Sequence, residues 1–295
     1  MLLLHIAAVA TLALTAPPPA PWQPLEAGLE LGRFEGPSGG AGDGVITVIR
    51  VDPRRFELRL LNASAPGEGS ARSARAWAAR TGAVAAINAA MYQADLRTSV
   101  SLMRTRTHVN HQRVSRDRTV LAFDPTLRTA APFRIIDRDC DDLDAAGKLY
   151  GSLVQSIRLV SCGRKNVWTP SDRRTSAAIV GMDGAGRLLL VHARTAWPTS
   201  ALADALLALP IDLQRAMYVE GGAEAQLFVA AGGRELELIG AFDGLPGVAQ
   251  NVDAWPVPNV LGVYRRAKPL AVTPAPAPVT SPSGSGTGGK ARPHR

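Results

Sequence analysis

Apolar and polar positions along the chain alternate mostly with the two-residue period of strands, in short runs separated by turn-forming residues. Val45–Val51 (VITVIRV) and Phe56–Asn62 (FELRLLN) flank Asp52-Pro53 and together predict a hairpin. ARSARAWAAR (71–80) stops at Gly82, which predicts a short helix with a glycine beyond its last turn. AVAAIN (83–88) has the character of a buried strand of small residues, and SVSLM (99–103) and TVLAF (119–123) predict two further strands. In TSAAIVGMDGAGRLLLVHA (175–193), two apolar runs flank Asp183-Gly184-Ala185-Gly186, where glycine permits the dihedrals of a tight reversal; this is the strongest hairpin signal. Thr199 or Ser200 is the expected cap of a helix through Leu209, ending before Pro210. Strands AMYV (216–219), QLFVA (226–230) and VPNVLGVY (257–264) complete the pattern. Strands outnumber helices with no regular strand-helix repeat, so the expected fold class is α+β, a strand-rich mixed single domain.

The two ends depart from this pattern. MLLLHIAAVATLALTA (1–16) is an apolar run that halts at prolines 17–19, the length of a secretory segment with small residues before the break. No Lys or Arg precedes it, so an uncleaved anchor or a misassigned start codon is the alternative. No later run is long enough to cross a bilayer. From about residue 268 the sequence becomes proline, serine and glycine without aromatics, a composition that buries too little surface to order itself. The expected organisation is a signal peptide and Pro-rich lead at 1–21, a folded domain at 22–267 and a disordered basic tail at 268–295, in a secreted or periplasmic protein with no stable membrane insertion after signal cleavage.

Composition supports a globular core, with 46% hydrophobic and 20% charged residues. The net charge of +8 suggests nucleic acid until it is located: six basic residues and no acids follow position 264, which leaves +2 for the rest. With aromatic content of 5%, the body lacks both the charge and the stacking platforms of a nucleic-acid binder. The two cysteines, Cys140 and Cys162, are expected to form one disulfide. Two thiols cannot complete a zinc site, and neither a metal nor another cofactor is expected.

Two motif matches fail on context. GSGTGGKA (284–291) has Ala291 where a phosphate-binding loop needs a hydroxyl, and no strand leads into it. GPSGG (36–40) surrounds Ser38 like a nucleophile elbow, but LGRFE before it is not a convincing buried strand and no helix follows.

Other residues carry more chemistry. Asn88 ends a buried strand, where its amide either presents a donor and an acceptor to a ligand or bonds a turn backbone. His108 and His111, three apart, would face opposite sides of a strand, without a third metal ligand. The segment 104–118 holds five arginines against one aspartate, and is either a solvated hairpin or an anion-facing loop; Arg173 and Arg174 pose the same choice. Glu220 lies between the strand AMYV and Gly221-Gly222, and is either a reacting carboxylate or the polar end of a strand.

Taken in order, AINAAMY (86–92), LVQSIRLVSCG (153–163), RRTSAAIVGMDGAGRLLLV (173–191), AMYVEGGAEAQL (216–227) and PNVLGVY (258–264) resemble the phosphodiester glycosidase family, over about residues 45–265. The resemblance implies a hydrolase that cleaves the bond between an anomeric carbon and phosphate in sugar-1-phosphodiesters, here of envelope or exopolysaccharide glycans. It assigns catalytic roles to Glu220, Asn88 and Arg174. Glu220 would activate water or stabilise an oxocarbenium-like centre, Arg174 would bind phosphate, and Asn88 would orient a sugar hydroxyl. Substrate contacts are expected from Gly221, Gly222, Tyr92, His111 and Glu224, with the glycines letting backbone amides approach the ligand and Glu224 available as a second acid. The chain departs from the family pattern at Ala89, Ala90 and Met91, where glycine follows the asparagine, at Glu220, where aspartate is usual, and at Ala223 and Glu224. These departures keep open a second expectation, a non-catalytic exported module that binds glycan or protein on the same fold.

Overall fold

Strand formation begins earlier than the hydrophobic pattern suggests. In the computed structural model, which describes residues 21–39, 42–241 and 253–270, the first strands are β1 (Trp22–Glu26) and β2 (Leu29–Glu35), joined through Gly28. There follow β3 (Val45–Val51), β4 (Phe56–Asn62), α1 (Ala74–Thr81), β5 (Ala85–Asn88), β6 (Met103–Arg104), β7 (Val109–His111), β8 (Thr119–Pro125) and β9 (Phe133–Asp137). The second half comprises α2 (Leu143–Leu149), β10 (Tyr150–Val160), β11 (Arg174–Asp183), β12 (Leu188–Pro198), α3 (Thr199–Ala208), β13 (Leu213–Gly221), a single 3-10 turn (Gly222–Glu224), β14 (Gln226–Ala231), β15 (Arg234–Ile239) and β16 (Asn259–Arg265). The predicted leader and most of the tail, including GSGTGGKA, lie outside the described residues.

These strands make two sheets. The larger runs β1-β2-β3-β12-β11-β13-β10-β6-β7, with β8 also on β10 and β9 on β8; the smaller runs β15-β14-β5-β16-β4. The period of two decides the layers. Ile49, Ala178, Val180, Leu190, Met217 and Val219 of the large sheet meet Ala85, Ile87, Leu227, Val229, Leu261 and Val263 of the small one in a common core. Intervening residues face outward: Ile179, Val191, Ala216 and Tyr218 pack against α3, while Ala86, Phe228, Val260 and Tyr264 pack against Trp77 and Ala78 of α1. The result is a helix-sheet-sheet-helix stack, the strand-rich α+β domain expected.

The hairpin between 175 and 193 is present as β11-β12, and Gly186 takes the left-handed conformation at its reversal. Helix α1 ends as its sequence requires: Ser73 Oγ caps Ala76 N–H, and Gly82, at φ 76°, returns its N–H to Ala78 O. The hairpin expected between β3 and β4 does not form. β3 lies between β2 and β12, whereas β4 pairs with β16 in the other sheet. β3 is an interior strand whose two partners are β2 and β12, and the turn at Asp52, whose carbonyl takes the N–H groups of Arg55 and Phe56, hands the chain across to the second layer. LGRFE is likewise a strand, part of β2, although no helix follows it and Ser38 is exposed. Of SVSLM only Met103 is in a strand, and α3 begins at Thr199 with Pro198 in the cap position, without the side-chain cap expected from Thr199 or Ser200.

Cys140 and Cys162 are disulfide-bonded across a separation of 22 residues. Beside them, buried Asp137 accepts from Cys162 N–H and from Arg158, which also reaches Asp139. No helix among the described residues is long and apolar enough to cross a membrane.

Candidate active site

The register of β13 determines where Glu220 points. Tyr218 opposes Ile179 and Glu220 opposes Ala178, so two adjacent residues of β11 face three of β13, with Val219 as the extra residue of a bulge. Cross-strand partners share a face of a sheet. Because Ala178 faces the second sheet, the bulge turns Glu220 into the space between the sheets, where a regular strand would have sent it to the α3 side with Tyr218.

Glu220 is 8% exposed there. Burial raises its pKa to about 8; the Gly221 N–H at 3.1 Å from its Oε1 works against the shift, and the negative charge of Glu224 adds to it. The carboxyl is therefore mostly protonated at neutral pH. Tyr92 stands by the same two acids, and its phenol is pushed up to about 12, first by burial and then by the charges of Glu220 and Glu224. A buried neutral carboxyl, a half-buried second carboxyl and a half-buried neutral phenol thus lie near enough to act on one another beside the 222–224 turn, with Tyr92 resting on the α1 side of the small sheet.

The glycines of EGG have separate reasons. A Cβ on Gly221 would lie 1.8 Å from the Tyr218 hydroxyl, and Gly222 adopts φ 65°. Their amides are engaged within the protein: Gly221 N–H faces the Glu220 carboxyl, and Gly222 N–H donates to Thr175 Oγ1 at 2.9 Å. Asn88, 1% exposed, likewise spends its amide on backbone, donating to Glu224 O at 2.9 Å and accepting Gln226 N–H at 2.7 Å. Both bonds are to the backbone of the 224–226 turn, one of the two uses the sequence leaves open for this amide.

Arg174 lies at the start of β11, next to Thr175, with its guanidinium exposed and one bond to Gly39 O at 3.2 Å. Its neighbour Thr175 is the residue that meets the turn, at Gly222. His111 is not brought to the carboxylates; β7 is separated from β13 by β6 and β10. Its neighbour Asn110 instead ties down the 91–100 loop that carries Tyr92, accepting Ser99 N–H and donating to Arg97 O. Three of the five arginines in 104–118 are committed within the protein, Arg104 to the carbonyls of Gly147 and Gly151, Arg106 to Asp124 and Arg118 to Asp139.

Thr175, His192 and Asn110 support the site without having been singled out in the sequence. His192 carried the clearest signal, an imidazole inside the apolar run LLLVHA. Its Nε2 lies 3.2 Å from Ala225 O, and burial lowers its pKa to about 4, leaving a neutral ring that donates this bond. For a metal, the grouping of His, Cys and acidic side chains found among the described residues is Asp137, Cys140 and Cys162, whose sulfurs are consumed by the disulfide.

The fold has counterparts among solved structures. The zebrafish N-acetylglucosamine-1-phosphodiester alpha-N-acetylglucosaminidase catalytic domain, auto-inhibited by its pro-peptide, superposes with a TM-score of 0.60 at 14% identity, over 81% of this chain and 84% of that one. A hypothetical protein from Synechocystis gives 0.55 at 16% identity, over 85% of this chain and 64% of that one. No curated protein matches the chain at significance. The sequence profile of the phosphodiester glycosidase family matches residues 81–264, a span that holds every residue of the carboxyl cluster and its supports, and the chain belongs to that family.

Proposed function

We propose that the protein hydrolyses the bond between an anomeric carbon and phosphate in sugar-1-phosphodiesters, at the Glu220, Glu224 and Tyr92 cluster. The observation that carries the reading is the buried carboxyl of Glu220, held neutral beside a second carboxylate on the turn of a phosphodiester glycosidase domain. A carboxyl kept protonated by burial beside a second, less buried one is a usual basis for dividing acid and base roles.

The substrate is an anion, and a pair of ionised carboxylates would repel it. With Glu220 neutral, one of those charges is removed. As the bond from C1 to the phosphate oxygen breaks, its electron pair leaves with that oxygen and the Glu220 proton follows it. Water adds to C1 and gives a proton to the Glu224 carboxylate, so the products are the free sugar and a phosphate monoester. Phosphate is already a good leaving group, so stabilisation of its charge matters as much as proton donation; exposed Arg174 at the start of β11 is the cation for it. Asn88 acts as a positioning residue, through Glu224 O and Gln226 N–H. The phenol of Tyr92, kept as O–H, donates to a sugar or phosphate oxygen. His111 reaches the site only through the neighbouring Asn110 and the Tyr92 loop. A disulfide suits export to an oxidising compartment, where envelope or exopolysaccharide glycans are the accessible substrates.

The test is release of free sugar from N-acetylglucosamine-1-phosphodiesters and nucleotide sugars by the full chain and by Glu220→Gln and Glu224→Gln. Turnover that falls at least about 100-fold in each folded variant supports the assignment. Turnover unchanged in Glu220→Gln sinks it. Saturable glycan binding without turnover in wild type would return the chain to the binding-module reading, for which the internal use of both glycine amides is the favouring observation.

A further inference from the structure

We infer that His192 is a positioning residue for the carboxyl pair, fixing the turn between Glu220 and Glu224 from the large sheet while Asn88 fixes it from the small one. The inference rests on the proposed reading of the site. His192 opposes Ala178 on β11, and Ala178 opposes Glu220 on β13, so imidazole and carboxyl share one row and one face across three strands. From that row the ring reaches past β11 to the carbonyl of Ala225, the residue after Glu224. Asn88 takes the preceding carbonyl, that of Glu224, from the other layer. Two successive peptide units are thereby gripped from opposite sheets.

A buried histidine that merely satisfies a stray carbonyl is the simpler account, and the backbone argues against it. Ala225 O already accepts Gly240 N–H at 2.7 Å, so the carbonyl has a partner without His192. Val180 and Leu190 share this face and Thr47 opposes His192 directly on β3, so a threonine or an aliphatic side chain would fill the space with less desolvation than an imidazole. What the imidazole adds is direction: a second donor on one carbonyl removes the rocking freedom that a single bond leaves. His192 also lines a cleft of about 300 Å³ with Asp43, Thr47, Arg194 and the β15 residues Glu237, Leu238 and Ile239.

The test compares His192→Leu, which removes the donor, with His192→Gln, whose amide nitrogen can occupy the place of Nε2. Two readouts are taken. The first is kcat and KM on the sugar phosphodiester; the second is the titration midpoint of Glu220, followed by carboxyl NMR of glutamate-labelled protein and assigned with Glu220→Gln. Glu224 and Tyr92, the groups that face Glu220, and Arg194 and Asp43, which act on His192, are left intact. In His192→Leu, kcat is expected to fall on the order of 30-fold with KM within about threefold, because a small misplacement of catalytic groups is expensive in rate. The Glu220 midpoint should move by about one unit or more, and His192→Gln should restore both quantities. A Glu220 midpoint and kcat unmoved in folded His192→Leu would overturn the inference, as would equal damage in Leu and Gln. If His192→Leu does not fold, His192→Asn replaces it, since its shorter amide withdraws the donor; Asn equal to Gln in the midpoint is then the overturning result. Absence of turnover in wild type would sink the proposed reaction, yet the midpoint comparison still decides whether His192 positions the turn.

Discussion

Burial of Glu220 should make the stability of the protein fall as pH rises, and Glu220→Gln should abolish that fall. The folded carboxyl keeps its proton to about pH 8, whereas the unfolded chain releases it near the ordinary value of 4.5. Between those limits the native state binds more protons than the unfolded state, so the free energy of unfolding decreases with pH; below 4.5 there is no penalty, and above about 8 it is complete. At about 1.4 kcal/mol per unit, the ceiling is about 5 kcal/mol, which water entering the turn would reduce to about 2–4. Glutamine keeps the shape and the oxygen that faces Gly221 N–H but never ionises. The measurement is urea unfolding of both proteins, disulfide intact, at pH 5, 7 and 9, with each variant referred to wild type at the same pH so that all other titrations cancel. Near equality at pH 5 and a Gln advantage of about 2–4 kcal/mol at pH 9 is the expected outcome. Profiles that run parallel across the range would mean that Glu220 ionises at its ordinary pKa in water, and the assignment of a neutral acid would be refuted.

Three further outcomes follow from the same geometry. Gly221→Ala places a methyl 1.8 Å from the Tyr218 hydroxyl and should cost about 1–3 kcal/mol and most activity, while Gly222→Ala, which puts a side chain on a backbone at φ 65°, should cost about 1 kcal/mol; chemical denaturation ranks the two. His192, whose pKa falls from the ordinary 6.5 to about 4, binds fewer protons folded than unfolded in that window, so stability should be lost as pH falls through it, by about 3 kcal/mol at pH 4; His192→Gln, measured beside wild type by thermal unfolding, should remove this acid limb. Replacing both Cys140 and Cys162 by alanine opens a loop closed over a separation of 22 residues, and denaturant titration should show a loss of about 3 kcal/mol with kcat retained, since the bridge is not among the groups that hold the turn.

Local rules made the β11-β12 hairpin, the glycine end of α1 and the disulfide legible in the sequence, because each is decided by residues whose own chemistry is on display: Gly186, Gly82, and a solitary pair of cysteines. The β3-β4 error has the opposite cause. Asp52-Pro53 reads as a reversal and is one, but nothing local says whether the returning strand pairs with its neighbour or crosses to another layer; that depends on β2 and β12 competing for the same edges. The site divides in the same way. EGG marked Glu220, and the family resemblance brought Asn88 and Arg174 into its company. The bulge at Val219 leaves no mark in the residues, although it alone decides that Glu220 faces inward. His192 and Thr175 act on the turn from strands distant in sequence, and only a folded register reveals which backbone groups they meet.

The features that weaken the fold around Glu220 are those the proposed reaction needs. A strand without the extra residue would leave the acid on the other face; a solvated acid would be ionised and repel an anionic substrate; an alanine at 221 would collide with Tyr218. Each departure from an ordinary strand end has a local cost, and the surrounding bonds oppose it: Thr175 on Gly222, Asn88 on Glu224 and Gln226, and Gly240 and His192 on Ala225. A strand-ending glutamate of no consequence would require none of them, since water satisfies an exposed turn. The density of internal bonds on residues 222–226, together with a carboxyl kept neutral inside them, is the arrangement of a turn held rigid against the relaxation that would let Glu220 reach solvent and lose its proton.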